Sequence, residues 1–230
     1  MDRGLAGARR FLLDLLFPPR CAGCGAPGIV WCAACDHSLR RLPPRTCSRC
    51  GSRFLRRRTC SSCASASHRL PCTAFGGYAF PLDRALTHLK YRPDRDLAGV
   101  FAGWLADTYR QTGWAATCIL PVPLSPGRQR QRGYNQVALI ALALGAQLHM
   151  PVLANALLRV RETASQVGLT PAEREHNVRA AFAADAEQVR DHTPLVLDDV
   201  FTTGATLAAC GAALRQAGAD RAFGLTVARA

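Results

Sequence analysis

Eight cysteines before residue 64 fall into four Cys-x-x-Cys pairs: Cys21/Cys24, Cys32/Cys35, Cys47/Cys50 and Cys60/Cys63. No other feature restricts the front of the chain so tightly. Two residues between thiolates let a tight turn aim both sulfurs at one ion, and two such knuckles complete a tetrahedral site. Four knuckles predict two structural zinc ions and a double zinc ribbon over residues 20–66. The gaps inside successive couples, Gly25 to Trp31 and Gly51 to Thr59, are short enough to favour neighbours as partners, with a crossed arrangement as the alternative. Zinc then supplies the cohesion that about 50 arginine-rich residues cannot obtain from a hydrophobic core. The remaining cysteines, Cys72, Cys118 and Cys210, lie on apolar segments and read as small buried hydrophobes.

Charge follows the same division. Residues 1–70 contain 13 arginines and three acids, whereas the rest of the chain is nearly balanced, so most of the net +13 sits at the front. Eight thiolates and two Zn²⁺ reduce the excess of that region to about +6. Arg53, Arg56, Arg57 and Arg58 cluster in the second ribbon loop, where they either meet phosphates or form a solvated loop. The run Phe11–Phe17 imitates a signal peptide, but Asp14 splits it and Pro18-Pro19-Arg20 replaces a small-residue cleavage site. A short packing helix within residues 1–19 is expected instead. No segment approaches the roughly 18 apolar residues of a membrane span, and a cytoplasmic location is expected.

After Cys63 the small polar run Ala64-Ser65-Ala66-Ser67-His68 marks a linker. From residue 72 to the end, short apolar runs at 74–80, 118–122, 195–197 and 223–227 alternate with helical patterns at 82–90, 95–111, 136–148 and 205–217. Such alternation predicts an α/β domain over residues 72–230, a mostly parallel sheet with helices on both faces. Gly218 is placed to stop the last helix.

The stretch Pro194 to Leu207 reads as a buried strand ending in Asp198 and Asp199, a hydroxyl-rich turn, and a helix start. Open α/β sheets gather ligands at the carboxyl ends of their strands. A helix start adds unpaired N–H groups and the positive end of a dipole, which suit a phosphate. Thr202, Thr203 and Thr206 offer hydroxyls, Ala205 a backbone N–H, and Gly204 lets the backbone approach closely. Two carboxylates beside an anion cradle require ribose hydroxyls or Mg²⁺ between them and the phosphate. A capped loop without a ligand is the plain alternative.

These residues resemble the phosphoribosyl pyrophosphate (PRPP) loop of type I phosphoribosyltransferases. The resemblance implies that Asp198 and Asp199 contact the ribose hydroxyls and that Thr202 to Thr206 bind the 5-phosphate. Two further segments extend the site. A strand leaves through Pro121 and Pro123 into a predicted loop carrying Arg128, Arg130 and Arg132, whose guanidiniums suit pyrophosphate oxygens. Thr170-Pro171-Ala172-Glu173 is a capping box that starts a helix with Arg174 and Asn177 on one face. In the resembled family that region is a mobile flap over PRPP.

Taken with Leu89-Lys90-Tyr91, Pro121-Val122-Pro123, Arg132-Gly133-Tyr134-Asn135-Gln136, Ser165-Gln166 and Arg174-x-x-Asn177, the four knuckles and the loop resemble the ComF family across nearly the whole chain. That family combines a double zinc ribbon with a type I phosphoribosyltransferase-like domain and is associated with natural transformation. The resemblance implies PRPP or a nucleotide phosphate as ligand, with Mg²⁺. It implies Asp198, Asp199 and Arg132 as catalytic residues, with Thr202, Thr203, Gly204, Ala205, Thr206, Lys90, Arg128, Gln166 and Arg174 binding the ligand. It also implies work with single-stranded DNA and the uptake machinery at the inner face of the membrane. Three readings stay open at this point: transfer from PRPP to an acceptor, binding of single-stranded DNA without turnover, and a degenerate domain retained for protein contacts.

Overall fold

The computed structural model describes residues 18–42, 70–161 and 181–230. The expected N-terminal helix, Cys47, Cys50, Cys60, Cys63, the linker, and the flap with Gln166, Arg174 and Asn177 lie outside them.

The elements run α1 (Ala33–Ser38), β1 (Cys72–Gly77), α2 (Leu82–Tyr91), α3 (Arg95–Arg110), β2 (Cys118–Pro121), α4 (Pro126–Arg132), α5 (Gln136–Leu148), β3 (Leu157–Arg159), β4 (Phe182–Ala184), α6 (Ala186–Val189), β5 (Pro194–Phe201), α7 (Ala205–Gln216) and β6 (Phe223–Arg229). Strands β1, β6, β5 and β2 form one four-stranded sheet in that order, and every neighbouring pair is parallel. Strands β3 and β4 form a separate antiparallel pair.

Both faces of the sheet are covered, for a reason visible in the period of two. Leu195 and Leu197 of β5, with Ile119 of β2, join a core with α3 and α5. The intervening Val196, with Cys118 and Leu120, joins a second core with Leu207, Cys210 and Leu214 of α7. Parallel strands buried on both sides read as continuous apolar runs. Burial pushes the Cys118 thiol up to about 11, and burial together with the nearby Asp198 raises Cys210 well above the usual thiol range. Both therefore behave as apolar filling.

Two expectations need correction. The strand containing the acidic pair does not end at the acids. It continues to Phe201, because β6 pairs with it to the end, Val200 opposite Ala228 and Phe201 opposite Arg229. The arginine segment is not a loop. Ser125 caps it by accepting from the Arg128 N–H, Pro126 occupies its first turn, and Gly133 closes it in the left-handed region at φ 75, which together make α4 a helix.

The first ribbon is not an isolated bead. Cys21, Trp31 and Cys35 belong to the same core as α3 and α5. Trp31 meets Trp104 of α3 edge to face, and Trp104 stacks on Phe75 of β1. Segment 40–42 adds along the free edge of β1, where Gly77 donates to the Arg40 carbonyl and Leu42 to that of Phe75.

Candidate functional site

Two places gather chemistry-bearing side chains among the described residues. In the first, the sulfurs of Cys21, Cys24, Cys32 and Cys35 all lie within 4.8 Å of one another. Cys21 and Cys35 are 3.6 Å apart, as are Cys24 and Cys32. The edge of a tetrahedron with 2.3 Å zinc–sulfur bonds is about 3.8 Å, so the donor set fits Zn²⁺. The four ligands come from neighbouring knuckles, which is the uncrossed pairing. Burial raises the Cys21 thiol, but hydrogen bonds from the backbone of Cys24, Cys32 and Gly23 outweigh it and bring the thiol down to about 6, which favours the thiolate a metal requires.

The second lies at the carboxyl ends of β5 and β2. Asp198 and Asp199 sit near the end of β5, followed by the bend Thr202–Gly204 and the start of α7 at Ala205. Gly204 is left-handed at φ +79, and a Cβ there would come within 2.7 Å of the Phe201 ring. Only glycine lets the chain turn this sharply over that ring into the helix. Ala205 N–H donates to Thr203 Oγ1 at 3.3 Å. Thr202 is exposed and Thr203 and Thr206 are half-buried, so the hydroxyl turn stays within reach of solvent.

Asp199 has two partners from other elements. Lys90, near the end of α2, places Nζ 3.2 Å from Asp199 Oδ2. Gln136, at the start of α5, donates from Nε2 to the same oxygen at 3.0 Å. Asp198 is treated differently. Burial at the sheet end and the adjacent Asp199 charge push its carboxyl up to about 8, while Oδ1 accepts the Asp199 N–H at 2.9 Å. The two acids therefore meet different surroundings, Asp198 pressed toward its neutral form and Asp199 facing Lys90 and Gln136.

The segment Arg132 to Gln136 explains how these groups are held. Arg132 Nη1 donates to Gln136 Oε1 at 3.1 Å, and its guanidinium lies 5.7 Å from the Tyr91 ring centre. Gly133 ends α4. Tyr134 donates its hydroxyl to the Leu89 carbonyl at 2.7 Å, which fixes the turn of α2 carrying Lys90. Asn135 caps α5 by accepting from Val137 N–H and donates Nδ2 to the Val122 carbonyl at the end of β2. Asn135 and Gln136 therefore tie α5 to the ends of β2 and β5, while Arg132 and Tyr134 tie the segment to α5 and α2.

Of the site residues expected from sequence, Lys90, Arg132, Asp198, Asp199 and the Thr202–Thr206 turn come to this one end of the sheet. Arg128 and Arg130 are exposed on α4. Gln136 was not among the expected site residues. Its signal was the i, i+4 spacing from Arg132 across a helix start, which brings the two side chains to one side.

A double zinc ribbon domain family matches residues 12–64. Competence protein F of Haemophilus influenzae is 30% identical over 198 residues, covering 82% of this chain and 86% of that protein. DNA utilization protein YhgH of Escherichia coli K12 is 29% identical, covering 84% of this chain and 93% of its own. Competence protein ComFC of Streptococcus pneumoniae is 27% identical over 82% of each. Among solved structures, the glutamine PRPP amidotransferase of B. subtilis, complexed with ADP and GMP, gives a TM-score of 0.43 at 19% identity. That similarity covers 61% of this chain, which spans about a third of the amidotransferase chain, 30%.

Proposed function

Because this chain belongs to the ComF family of competence proteins, we propose that the sheet end around Asp198 and Asp199 binds PRPP or a nucleotide 5′-phosphate with Mg²⁺ and serves the handling of DNA taken up by the cell. The observation that carries the reading is the sequence of groups along one turn of chain. Two carboxylates are followed by a left-handed glycine five residues after the second and a helix start at the next residue, with Lys90 on the second carboxylate. A phosphate at the start of α7 satisfies N–H groups with no partner inside the helix. The two carboxylates precede that turn in the chain, on the strand side of it. Their hard oxygen donors suit Mg²⁺, which would screen them from pyrophosphate.

In this reading Asp199, fixed by Lys90 and Gln136, accepts from a ribose hydroxyl. Asp198 lies against the Asp199 charge, a repulsion that a bound Mg²⁺ would relieve. Arg132 neutralises the pyrophosphate that leaves. If a transfer follows, the chain's contribution is placement and charge stabilisation rather than covalent chemistry. The zinc-loaded protein titrated with PRPP and Mg²⁺ in a calorimeter should give a binding isotherm that disappears in Asp198→Ala, Asp199→Ala. An isotherm that survives the double substitution sinks the proposal.

A second reading, binding of single-stranded DNA, is favoured by a groove of about 530 Å³ between the first ribbon and α2. Arg20, Arg84 and Arg92 line it, and Arg84 lies over the exposed Phe80 ring. Guanidiniums on phosphates and rings under bases are the ordinary means of holding a single strand. Replacing Arg84 and Arg92 by glutamine should weaken binding of an oligonucleotide and flatten its salt dependence. Equal affinity in that variant would remove this reading and leave the first intact.

A further inference from the structure

Gln136 and Thr226 are the two buried polar side chains among the described residues. Thr226 satisfies its hydroxyl locally, on the Ala228 carbonyl. Gln136 does something else, since its two amide ends reach groups of opposite charge. Oε1 accepts from Arg132 at 3.1 Å, and Nε2 donates to Asp199 Oδ2 at 3.0 Å, the oxygen that also faces Lys90 at 3.2 Å. A line Arg132–Gln136–Asp199–Lys90 therefore joins the ends of α4, α5, β5 and α2.

The residue type follows from that position. An acceptor must face the guanidinium and a donor must face the carboxylate, both carried on one planar group without charge. Turning the amide over would set NH₂ against guanidinium and carbonyl against carboxylate, so only one orientation is allowed. Glutamate would keep the first contact and lose the second. An apolar side chain would lose both, leaving Asp199 to Lys90 alone and Arg132 to the Tyr91 ring. Arginine has several rotatable bonds, and the amide, with the Tyr91 ring beneath, holds one of its orientations before any ligand arrives.

We infer that Gln136 is a positioning residue that couples Arg132 to Asp199, so that the pyrophosphate end and the ribose end of a phosphoribosyl diphosphate are bound cooperatively. The inference rests on the phosphoribosyl reading above. Neither group alone needs the other in order to meet its half of the ligand. The amide makes their positions interdependent, because displacing Arg132 frees Oε1 and lets the amide leave Asp199.

The test is a pair of double-mutant cycles on the full-length zinc-loaded protein, titrated with PRPP and Mg²⁺. Arg132→Met, Asp199→Asn and their combination are measured in the natural background and in Gln136→Leu. In the natural background the two substitutions should be non-additive by about tenfold, and in Gln136→Leu they should be additive within about twofold. Coupling that persists without the amide overturns the inference. If Gln136→Leu does not fold, the isosteric Gln136→Glu carries the test. It should weaken PRPP by about tenfold while weakening inorganic pyrophosphate with Mg²⁺, which lacks the ribose, by less than about threefold. Equal losses for the two probes overturn the inference. A natural protein that binds neither probe removes the phosphoribosyl reading itself, and with it this one, whereas normal binding with unchanged coupling removes only the role of Gln136.

Discussion

Trp31 of the first ribbon and Trp104 of α3 meet edge to face with ring centroids 5.1 Å apart, so the metal-binding knuckle and the sheet domain share one core. Aromatic pairs in this geometry contribute about 0.5–1.5 kcal/mol beyond the area they bury. Without the ion the four sulfurs lose the common bond that closes the knuckle against that contact. Removing zinc with a chelator should therefore lower the melting temperature of the sheet domain, and not only unravel the ribbon, by about 10 °C or more. Far-ultraviolet dichroism followed on heating, with and without chelator, checks this. An unchanged sheet melting curve would show that the ribbon is an independent unit.

The unequal acid pair gives a pH dependence. With the Asp198 carboxyl raised to about 8 in the fold and near 4 when unfolded, the folded chain holds a proton that the unfolded chain has released throughout that interval. Its contribution is complete below about pH 4 and is lost progressively as pH rises through 8. Asp198→Asn removes the cost of ionising this group. It should stabilise the protein by about 1–2 kcal/mol at pH 8.5 and by less at pH 6. Urea unfolding at the two pH values measures the difference, and a gain that does not grow with pH contradicts the assignment. The same variant should bind PRPP more weakly, a site residue held at the expense of stability.

Gly204 should tolerate no side chain. Its left-handed φ of +79 costs an L-residue about 1–2 kcal/mol. A Cβ would also press on the Phe201 ring, which lies beneath the Arg229 guanidinium at 5.1 Å. Gly204→Ala is expected to destabilise the fold by about 2 kcal/mol in chemical denaturation. PRPP affinity should fall at least tenfold, since the helix start would shift. Full binding in this variant would place the ligand elsewhere.

Tyr134→Phe isolates a single hydrogen bond. The hydroxyl donates to the Leu89 carbonyl beside Lys90, and burial raises the phenol above its ordinary value, in keeping with a bonded, partly enclosed group. Losing the bond should cost about 1 kcal/mol of stability and loosen the Lys90 end of α2. PRPP binding should weaken by a few fold, measured by calorimetry. A loss of stability with PRPP binding unchanged would show that Lys90 is held by Asp199 alone.

Much of this was legible in the residues. The helical runs 82–90, 95–111, 136–148 and 205–217 match α2, α3, α5 and α7 within a residue or two, because each buries an apolar face. The ends of elements were harder. Asp198 and Asp199 read as the close of a strand because acids disfavour strands, yet backbone pairing with β6 holds Val200 and Phe201 in the sheet. Two prolines near β2 suggested a loop, while the local helix signals, Ser125 and Pro126 in front and Gly133 behind, decided the matter. The three-residue strands β3 and β4 pair across 22 intervening residues, and strands so short have no periodicity to detect. Parallel partners separated by most of the domain, such as β1 beside β6, are set by tertiary packing rather than by any local pattern. Gln136, although part of the Arg132–Gln136 motif, carried no expected site role for a related reason, since its second partner, Asp199, lies 63 residues away.

Helix α2 has a further consequence. Gly23 of the first knuckle lies so close to Pro81 that an added Cβ would fall 2.7 Å from the Pro81 Cβ. The proline is the cap at one end of a ten-residue helix, and Lys90 is near the other end. A helix of that length is a rod of about 15 Å that bends little under load. One end of that rod therefore abuts the cysteine knuckle, while the other carries the ammonium that meets Asp199.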